Sequence, residues 1–571
     1  MSRLIIKNGI VYDPLNEISG EEKDIFIEDG RIVESFPEDG TKTVDASGKV
    51  VMPGGVDHHS HIAGSKVNSG RFMRPEEGKY TYSKNDYPRS GSGYSVPSTF
   101  VTGYLYAKMG WTTVVDPAMP PLKARHTHEE FMDTPIIDKA AFPLFGNNSI
   151  VMEYLKEKDI EGCAAYVAWM LRATKGYAVK LVNPGGTASW GWGRNVSGLD
   201  DPTPYFDVTP GEIIRGLEEV NELLALPHSI HVHGNNLGSP GNYKTTLETI
   251  RRTKGVKPGD PKRENILHIT HAQFNAYGGT NWRDFESKSR DIAEEVNKRD
   301  DVVIDIGAVT FDNTTTMTAD GPWEHRLHHI TGGLKWINGD VELECGSGVT
   351  PYVFSLKNPV NVVQWAIGLE LSLLIDEPKK VLLNTDHPNG GPFTKYPEII
   401  SWLVSEDARE EEMEKMNKNV ERSSVLPTID KELDLGDIAW MTRAGNAKLL
   451  GLRDKGHLGP GAVADISIYD VDPRKDDISK DYEKVRRAFS DAYLCIKDGE
   501  IVVKNGRIQK APMGRTHWVD VQVPEELEGE VEGEIERQFK KYYTVNMNNY
   551  PVQSEYLPRP EPISIDASEN F

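Results

Sequence analysis

The chain has 571 residues, of which 38% are apolar and 27% charged, and its formal net charge at pH 7 is −22. A chain of this length exceeds one small core, so two or three domains are expected. Its acidic charge argues against general binding to nucleic acid or to an anionic membrane surface.

The cysteines are too few and too scattered for a metallocluster. They are Cys163, Cys345 and Cys495, and none forms a CxxC pair. This number excludes a disulfide framework or an iron–sulfur cluster held by this chain alone, and it favours a reducing compartment. Because residues 1–14 show no signal-peptide pattern and no run of 18 apolar residues occurs, a cytoplasmic location is expected.

The first 50 residues alternate apolar and polar positions between turns, which predicts a small β unit. Residues 4–9 predict a strand that runs into a turn at Asn8-Gly9, and residues 24–33 predict a hairpin around Asp29-Gly30. Such a unit is too short to bury much apolar surface by itself.

A pair of histidines follows this β unit. His59 and His61 are two residues apart, a spacing that places both imidazoles on one face of a strand. Imidazole is a ligand for zinc and similar divalent ions. A bare His-x-His pair is common in surface loops, but the preceding Pro-Gly-Gly-Val-Asp at 53–57 makes this pair far more specific.

The middle of the chain, residues 51–435, alternates short apolar strands with helical stretches, which predicts a parallel sheet. Roughly 250 residues suffice for a (β/α)8 TIM-like barrel, and insertions would absorb the excess. Long loops are predicted at 62–100 and 308–350, and such loops on a barrel usually carry function or partner contacts. The predicted strands span residues 111–116, 178–182, 229–233, 266–271 and 381–386.

Lys180 lies within one of these apolar strands. Burial there would lower its pKa and leave a nucleophilic amine. That amine could take up carbon dioxide as a carbamate, which is a carboxylate on a long stem and can bridge two metal ions. Taken alone, the residue is better explained as a lysine that snorkels from a strand end.

Two further strands carry histidine pairs, and a third ends in a carboxylate. His231 and His233 share one face of their strand, whereas His268 and His271 face opposite ways. One member of each pair is expected to be a ligand and the other a core histidine, and the residues leave both choices open. Asp386 ends the last strand, where a carboxylate can ligate a metal and accept a proton from its water.

The far end of the chain returns to β patterning. Residues 465–469 predict a strand, and residues 493–503 predict a hairpin around Asp498-Gly499. We expect the segments 1–50 and 436–511 to join into one composite β-sandwich, with the barrel inserted between them.

The last segment, residues 512–571, shows no clear core pattern and is interpreted as an extended arm. Its tyrosines favour a strap over a neighbouring subunit rather than a disordered tail.

Six ligand-capable groups thus fall at successive strand ends, where barrel active sites form. Their order (His-x-His, Lys, His, His, Asp) resembles the amidohydrolase superfamily, in its binuclear, carboxylated-lysine branch with hydantoinases and dihydroorotases. The resemblance covers about residues 4–508. Within it the chain resembles the family of formylmethanofuran dehydrogenase A subunits, through segments 56–68, 176–186, 231–236 and 384–388.

This resemblance implies a binuclear zinc site and a partner complex. The implied reaction is the reversible condensation of formate with the amine of methanofuran, which gives formylmethanofuran and water. It is a step of one-carbon metabolism and of methanogenesis from CO2. Asp386 would also move the catalytic proton in this reaction. Formate would come from a subunit with a molybdenum or tungsten pterin, in a complex that also has iron–sulfur subunits; this chain would hold neither pterin nor cluster. The implied ligands of the two zinc ions are His59, His61, N-carboxylated Lys180, His233, His271 and Asp386.

Two other functions stay open on the sequence. A free-standing hydantoinase- or dihydroorotase-like cyclic amidase would share every ligand, although it needs neither the long loops nor the tail. A non-catalytic scaffold subunit would have no reason to keep six metal-binding groups. Candidates for contact with the methanofuran tail, which surface solvation explains equally well, are Lys66, Asn68, Arg71, Arg74 and Arg194.

Overall fold

The computed structural model describes residues 2–77, 93–333, 335–341 and 345–571. Its strands in chain order are β1 Arg3–Asp13, β2 Ile18–Glu28, β3 Arg31–Val33, β4 Lys42–Asp45, β5 Val50–Pro53, β6 Gly55–Asp57, β7 Trp111–Met119, β8 Asp138–Pro143, β9 Lys180–Val182, β10 Ile230–His233, β11 Leu267–Ile269, β12 Val302–Asp305, β13 Asn313–Thr318, β14 Ile337–Val341, β15 Cys345–Val353, β16 Val381–Leu382, β17 Ile466–Tyr469, β18 Leu494–Lys497, β19 Glu500–Lys504, β20 Arg507–Ile508, β21 Thr516–Gln522 and β22 Pro560–Asp566. The α-helices span Ser65–Met73, Thr99–Lys108, Ala124–Met132, Ser149–Glu157, Ile160–Thr174, Gly186–Trp190, Pro210–Leu223, Tyr243–Arg252, Ser289–Asn297, Gly321–Thr331, Asn361–Leu374, Tyr396–Val404, Glu406–Glu414, Asn419–Ser423, Leu435–Ala439, Gly445–Leu450, Tyr482–Ser490 and Glu525–Tyr542.

Eight parallel strands form a closed barrel. One run pairs β6, β7 and β8, and a second pairs β9, β10, β11, β12 and β16. Isolated parallel bridges from Leu144 to Lys180 and from Ser60 to His387 join the two runs into a ring. The predicted β/α barrel is therefore confirmed, and β8 and β12 are strands that the sequence patterns did not reveal.

The barrel strands are buried on both faces. Every position of β7, β8 and β10 is buried, as expected for parallel strands with helices outside and side chains filling the interior. Because the strands are parallel, their carboxyl ends meet at one face of the barrel, where the side chains that follow each strand converge.

The two ends of the chain meet as expected, and where a composite β-sandwich was predicted they form one nine-stranded sheet. Its order is β20-β19-β18-β17-β5-β1-β2-β3, with β4 beside β1. The junction is the antiparallel pair of β5 and β17, in which Val50 lies opposite Tyr469. Asp29 and Asp498 both have positive φ, as their Asp-Gly hairpin turns require.

The turn predicted at Asn8-Gly9 is wrong. β1 continues through these residues to Asp13, and its pairing with β2 resumes at Gly9 after a register shift. Asn8 has a φ of 58°, and a Cβ on Gly9 would lie 2.5 Å from the Val51 side chain. The dipeptide therefore forms a bulge inside a long strand, where a neighbouring strand approaches closely.

In their described parts, the two predicted long loops contain helices and strands that pack on each other. The second contains the antiparallel sheet β13-β15-β14, and the helix Ser65–Met73 of the first packs against β13 and β15. Val67, Met317 and Val349 belong to their shared core. We call the helices Ser65–Met73 and Gly321–Thr331 with β13–β15 the cap; residues 78–92, 334 and 342–344 of these loops lie outside the described part.

The interpretation of residues 512–571 as an extended arm is wrong for this chain. β21 begins parallel to β8 and continues beside β22, and the helix Glu525–Tyr542 packs on the helix Ile160–Thr174. Val531, Ile535 and Phe539 are buried in the main core. Their four-residue spacing is an amphipathic helical pattern in an otherwise polar segment, and it fixes the tail to its own barrel.

No helix in the described ranges is both long and apolar enough to cross a membrane.

Candidate metal centre

The His-x-His pair lies at the carboxyl face of the barrel, directly after β6. Both imidazoles are buried, and their Nε2 atoms lie 2.9 Å (His59) and 3.1 Å (His61) from Asp386 Oδ1. The buried Asp57 carboxylate accepts the backbone N–H of His59 at 3.1 Å and the hydroxyl of Tyr106 at 2.7 Å. Asp57, two residues before the pair, therefore helps to fix the direction in which the histidines leave the strand.

The structure distinguishes His271 from His268. β11 ends at Ile269, and His271 has a φ of 38°, which turns the chain out of the strand. The His271 ring centroid lies 5.4 Å from that of His59 and 4.7 Å from that of His233. His268 stays within β11, where its Nε2 lies 2.9 Å from Asp305 Oδ2, so only His271 reaches the cluster around Asp386.

His231 and His233 likewise lie in different surroundings. Both nitrogens of His231 face other histidines: Nε2 lies 2.8 Å from His59 Nδ1, and Nδ1 lies 3.1 Å from His228 Nε2. His233, at the end of β10, donates from Nε2 to Asp320 Oδ2 at 3.2 Å. This bond leaves the Nδ1 lone pair of His233 available for a metal ion.

Lys180 is buried in the barrel interior, in register with His231 on the neighbouring strand. Among the described residues its Nζ has no hydrogen-bond partner. Burial lowers the pKa of Lys180 to about 7, although the Asp386 and Asp305 carboxylates act in the opposite direction. A lysine in this state is in large part a neutral amine near pH 7, as carbamate formation requires.

Asp386 lies in the left-handed region, with a φ of 46°, and its Oδ1 accepts from Asn389 Nδ2 at 2.9 Å. Burial raises its pKa well above the ordinary value and lowers the pKa of His59 and His61 well below theirs. Neutral imidazole nitrogens beside a buried carboxyl group are donors that a divalent cation of the zinc type takes.

The donor set fits a pair of divalent ions of the zinc type. Ligand atoms of His59, His271 and Asp386 all lie within 4.8 Å of one another, and the unpartnered Lys180 amine would add two oxygens as a carbamate. Imidazole nitrogen and carboxylate oxygen are the donors that zinc takes in catalytic sites. The predicted side chains of His59, His61, His271 and Asp386 thus meet at one buried site, and the His233 ring lies beside that of His271.

Several residues that support the site were missed in the sequence. Asp305 ends β12 and accepts the backbone N–H of His271 at 2.6 Å, which holds that residue in its turn. Its signal was available, because Val302–Asp305 is an apolar run that ends in Asp, like residues 381–386. Asp320 had no such signal, since it reaches His233 from the cap.

A cavity of about 290 Å³ opens onto the site between the barrel and the cap. Asp386 and Asn389 are among the polar residues that line it, and most of its wall is apolar. Such a shape suits a ligand with a polar reacting end and an apolar body. Apolar residues in the wall include Leu237, Phe274, Trp282, Trp323, Leu327 and Phe354.

The polar residues predicted near the substrate are mostly engaged within the protein. Lys66 Nζ donates to the Ala118 carbonyl at 2.5 Å. Arg71 pairs with Glu130 at 2.9 Å, and Arg74 donates to the Thr314 carbonyl at 2.9 Å, so both hold the cap helix in place. Arg194 is exposed.

The comparisons with known proteins agree with this geometry. Residues 42–508 match the amidohydrolase family. The chain is 59% identical to Protein FwdA of Methanocaldococcus jannaschii over 99% of both chains. It is also 36% identical to the A subunit of the formyltransferase/hydrolase complex Fhc of Methylorubrum extorquens over 92% of both.

A similar fold is found in a solved structure, the X-ray structure of the formyltransferase/hydrolase complex (FhcABCD) from Methylorubrum extorquens with methylofuran. It aligns with a TM-score of 0.88 at 33% identity, covering 98% of this chain and 99% of that chain. The chain belongs to the amidohydrolase family, as its barrel fold, the order of its candidate ligands and its full-length relatives together indicate.

Proposed function

We propose that this enzyme is the amidohydrolase-type subunit of a formylmethanofuran dehydrogenase. It would condense formate with the primary amine of methanofuran, reversibly, to give formylmethanofuran and water. The observation that carries the proposal is the buried cluster of His59, His61 and His271 around Asp386. The His233 ring lies beside that of His271, and Lys180 is buried in the same barrel. Full-length similarity to Protein FwdA, and to one component of a complex solved with methylofuran, supports this substrate class.

The residues proposed to hold two zinc ions are those at the converged site. Lys180 would first be carboxylated: its Nζ lone pair bonds to the carbon of CO2, and the nitrogen releases a proton. The resulting carbamate would replace an unpartnered buried amine with two oxygen donors that could bind divalent ions. The proposed ligands are His59, His61, carboxylated Lys180, His233, His271 and Asp386.

The bound ions would polarise the reacting carbonyl and lower the pKa of a water molecule toward neutrality. Asp386 is placed to move the proton, because it lines the cavity and lies against both histidines of the His-x-His pair. In hydrolysis it would accept a proton from the attacking water and protonate the leaving amine; in synthesis the order reverses. Asn389 holds its carboxylate from the side.

The proposed partners are those that the family resemblance implies, and the small number of cysteines agrees with them. Of its three cysteines, Cys163 and Cys495 are buried and free, so the electrons that reduce CO2 would pass through other subunits. A molybdenum or tungsten pterin subunit would supply formate, and iron–sulfur subunits would supply its electrons. The related Fhc protein is solved as part of a complex, which makes assembly with other subunits reasonable.

The test is metal content together with co-purifying subunits, on protein from its native source. About two zinc ions per chain, with iron–sulfur and pterin subunits, is the expected result. Two zinc ions without partners would favour a free-standing cyclic amidase. No bound metal and an unmodified Lys180 would overturn the proposal and leave a scaffold.

A further inference from the structure

A file of buried histidines runs from the base of the barrel to the proposed metal site. His228 Nδ1 lies 2.9 Å from the Leu449 carbonyl oxygen, His228 Nε2 lies 3.1 Å from His231 Nδ1, and His231 Nε2 lies 2.8 Å from His59 Nδ1. All three rings are fully or almost fully buried. The far nitrogen of His59, Nε2, is the one that faces Asp386.

The direction of these hydrogen bonds is fixed at the base of the barrel. A carbonyl oxygen can only accept, so His228 Nδ1 must carry a proton. Leu449 lies in the last turn of the helix Gly445–Leu450, where carbonyl groups lack a partner within the helix. The bond therefore also satisfies a backbone acceptor that the helix leaves free.

Each remaining proton position follows from the previous one, as long as the rings are neutral. Neutral His228 has only a lone pair on Nε2, so the proton between the first two rings lies on His231 Nδ1. His231 Nε2 is then an acceptor, and the proton between the last two rings lies on His59 Nδ1. The Thr270 hydroxyl, 2.6 Å from His59 Nδ1, can donate or accept and so does not decide the outcome.

We infer that His228 and His231 are positioning residues that set the tautomer of His59, so that its Nε2 lone pair is free to bind a metal ion. The opposite tautomer would place a proton on His59 Nε2 and block the ligand. The file ends on a carbonyl that cannot take up a proton, so it fixes protons in place and does not conduct them. This inference rests on the proposed metal site.

The test compares two substitutions of His228, which contacts no proposed ligand side chain directly in the file. His228→Leu removes the acceptor for His231 Nδ1–H and allows the file to reverse. His228→Gln keeps an acceptor for His231 and a donor for Leu449. His128→Leu is the matched control, because His128 is also fully buried and donates to a backbone carbonyl, that of Thr174 at 2.9 Å, outside the file.

Zinc affinity, measured on the full chain by competition with a chelator, should fall about 10–100-fold in His228→Leu. It should stay near the parent value in His228→Gln and His128→Leu. In ¹⁵N-histidine spectra of the metal-free protein, His59 should carry its proton on Nδ1 in the parent and lose that preference in His228→Leu.

Equal losses in His228→Leu and His228→Gln would overturn the inference, because packing alone would then explain them. Parent affinity in His228→Leu, with the His59 tautomer unchanged, would overturn it as well. A parent chain that binds no zinc would refute the proposed function instead, and the spectra of the metal-free protein would still decide whether the file sets the tautomer.

Discussion

Carboxylation of Lys180 should depend on pH, with a midpoint near 7. Burial lowers its pKa from 10.5 to about 7 in the protein without metal. At pH 7 about half of the Lys180 amines would be neutral, against about 0.03% of unperturbed lysines, a gain of roughly a thousandfold in nucleophile. Since only the neutral amine reacts, uptake of CO2 should slow about tenfold for each pH unit below 7 and level off above it.

Titration of the proposed histidine ligands should not contribute to the pH dependence of CO2 uptake. Burial lowers the pKa of His59, His61 and His271 well below 6.5, so these groups stay neutral across the relevant range. The assay strips the metal with a chelator, restores zinc at a fixed concentration of dissolved CO2 between about pH 6 and 8, and follows the return of bound zinc.

Lys139 provides a matched control. It is also a buried lysine whose pKa burial lowers to about 7, but its Nζ donates to the Thr134 carbonyl at 2.7 Å, away from the site. Lys139→Met should therefore keep the parent's pH profile. Lys180→Ala should fail to take up a full complement of zinc, and acetate should partly restore it by supplying a carboxylate. A flat rate between pH 6 and 8, or uptake independent of CO2, would refute the reasoning.

Three further outcomes are expected. Asp386→Asn should lower kcat about 10²–10⁴-fold. It should not lower the melting temperature of the metal-free protein, because the carboxyl that it removes has a pKa raised by burial. An unchanged kcat would exclude the proton-transfer role. Asp320→Ala should weaken zinc binding about 10–100-fold. Asp320→Asn should weaken it less, because its amide oxygen still accepts from His233 and caps the helix Gly321–Thr331. Equal losses in the two variants would argue against the bond to His233. Phe539→Ala should lower the free energy of unfolding by about 3–5 kcal/mol with zinc content unchanged, and exposed Lys540→Ala should change neither. An unchanged free energy of unfolding in Phe539→Ala would argue against a contribution of this helix to the core.

Parts of the fold could be predicted because their signals are local. The Asp29-Gly30 and Asp498-Gly499 turns need only two residues with positive φ between alternating strands. The tail was misjudged because the buried positions of its helix, Val531, Ile535 and Phe539, are sparse in a segment rich in glutamate. So narrow an apolar stripe predicts a buried helix face only when the surface against which the helix packs is known.

The candidate site, too, was predicted in part from local sequence signals and in part depends on how distant segments pack. The sequence by itself determined the order of candidate ligands, because each one lies on or directly after a short apolar strand. Only the tertiary structure placed His271, and not His268, in the cluster with His59 and Asp386, through the end of β11 at Ile269 and the left-handed turn held by Asp305. It alone brought Asp320 to His233, from 87 residues further along the chain. Such contacts depend on how distant segments pack, and no local pattern of residues encodes that packing.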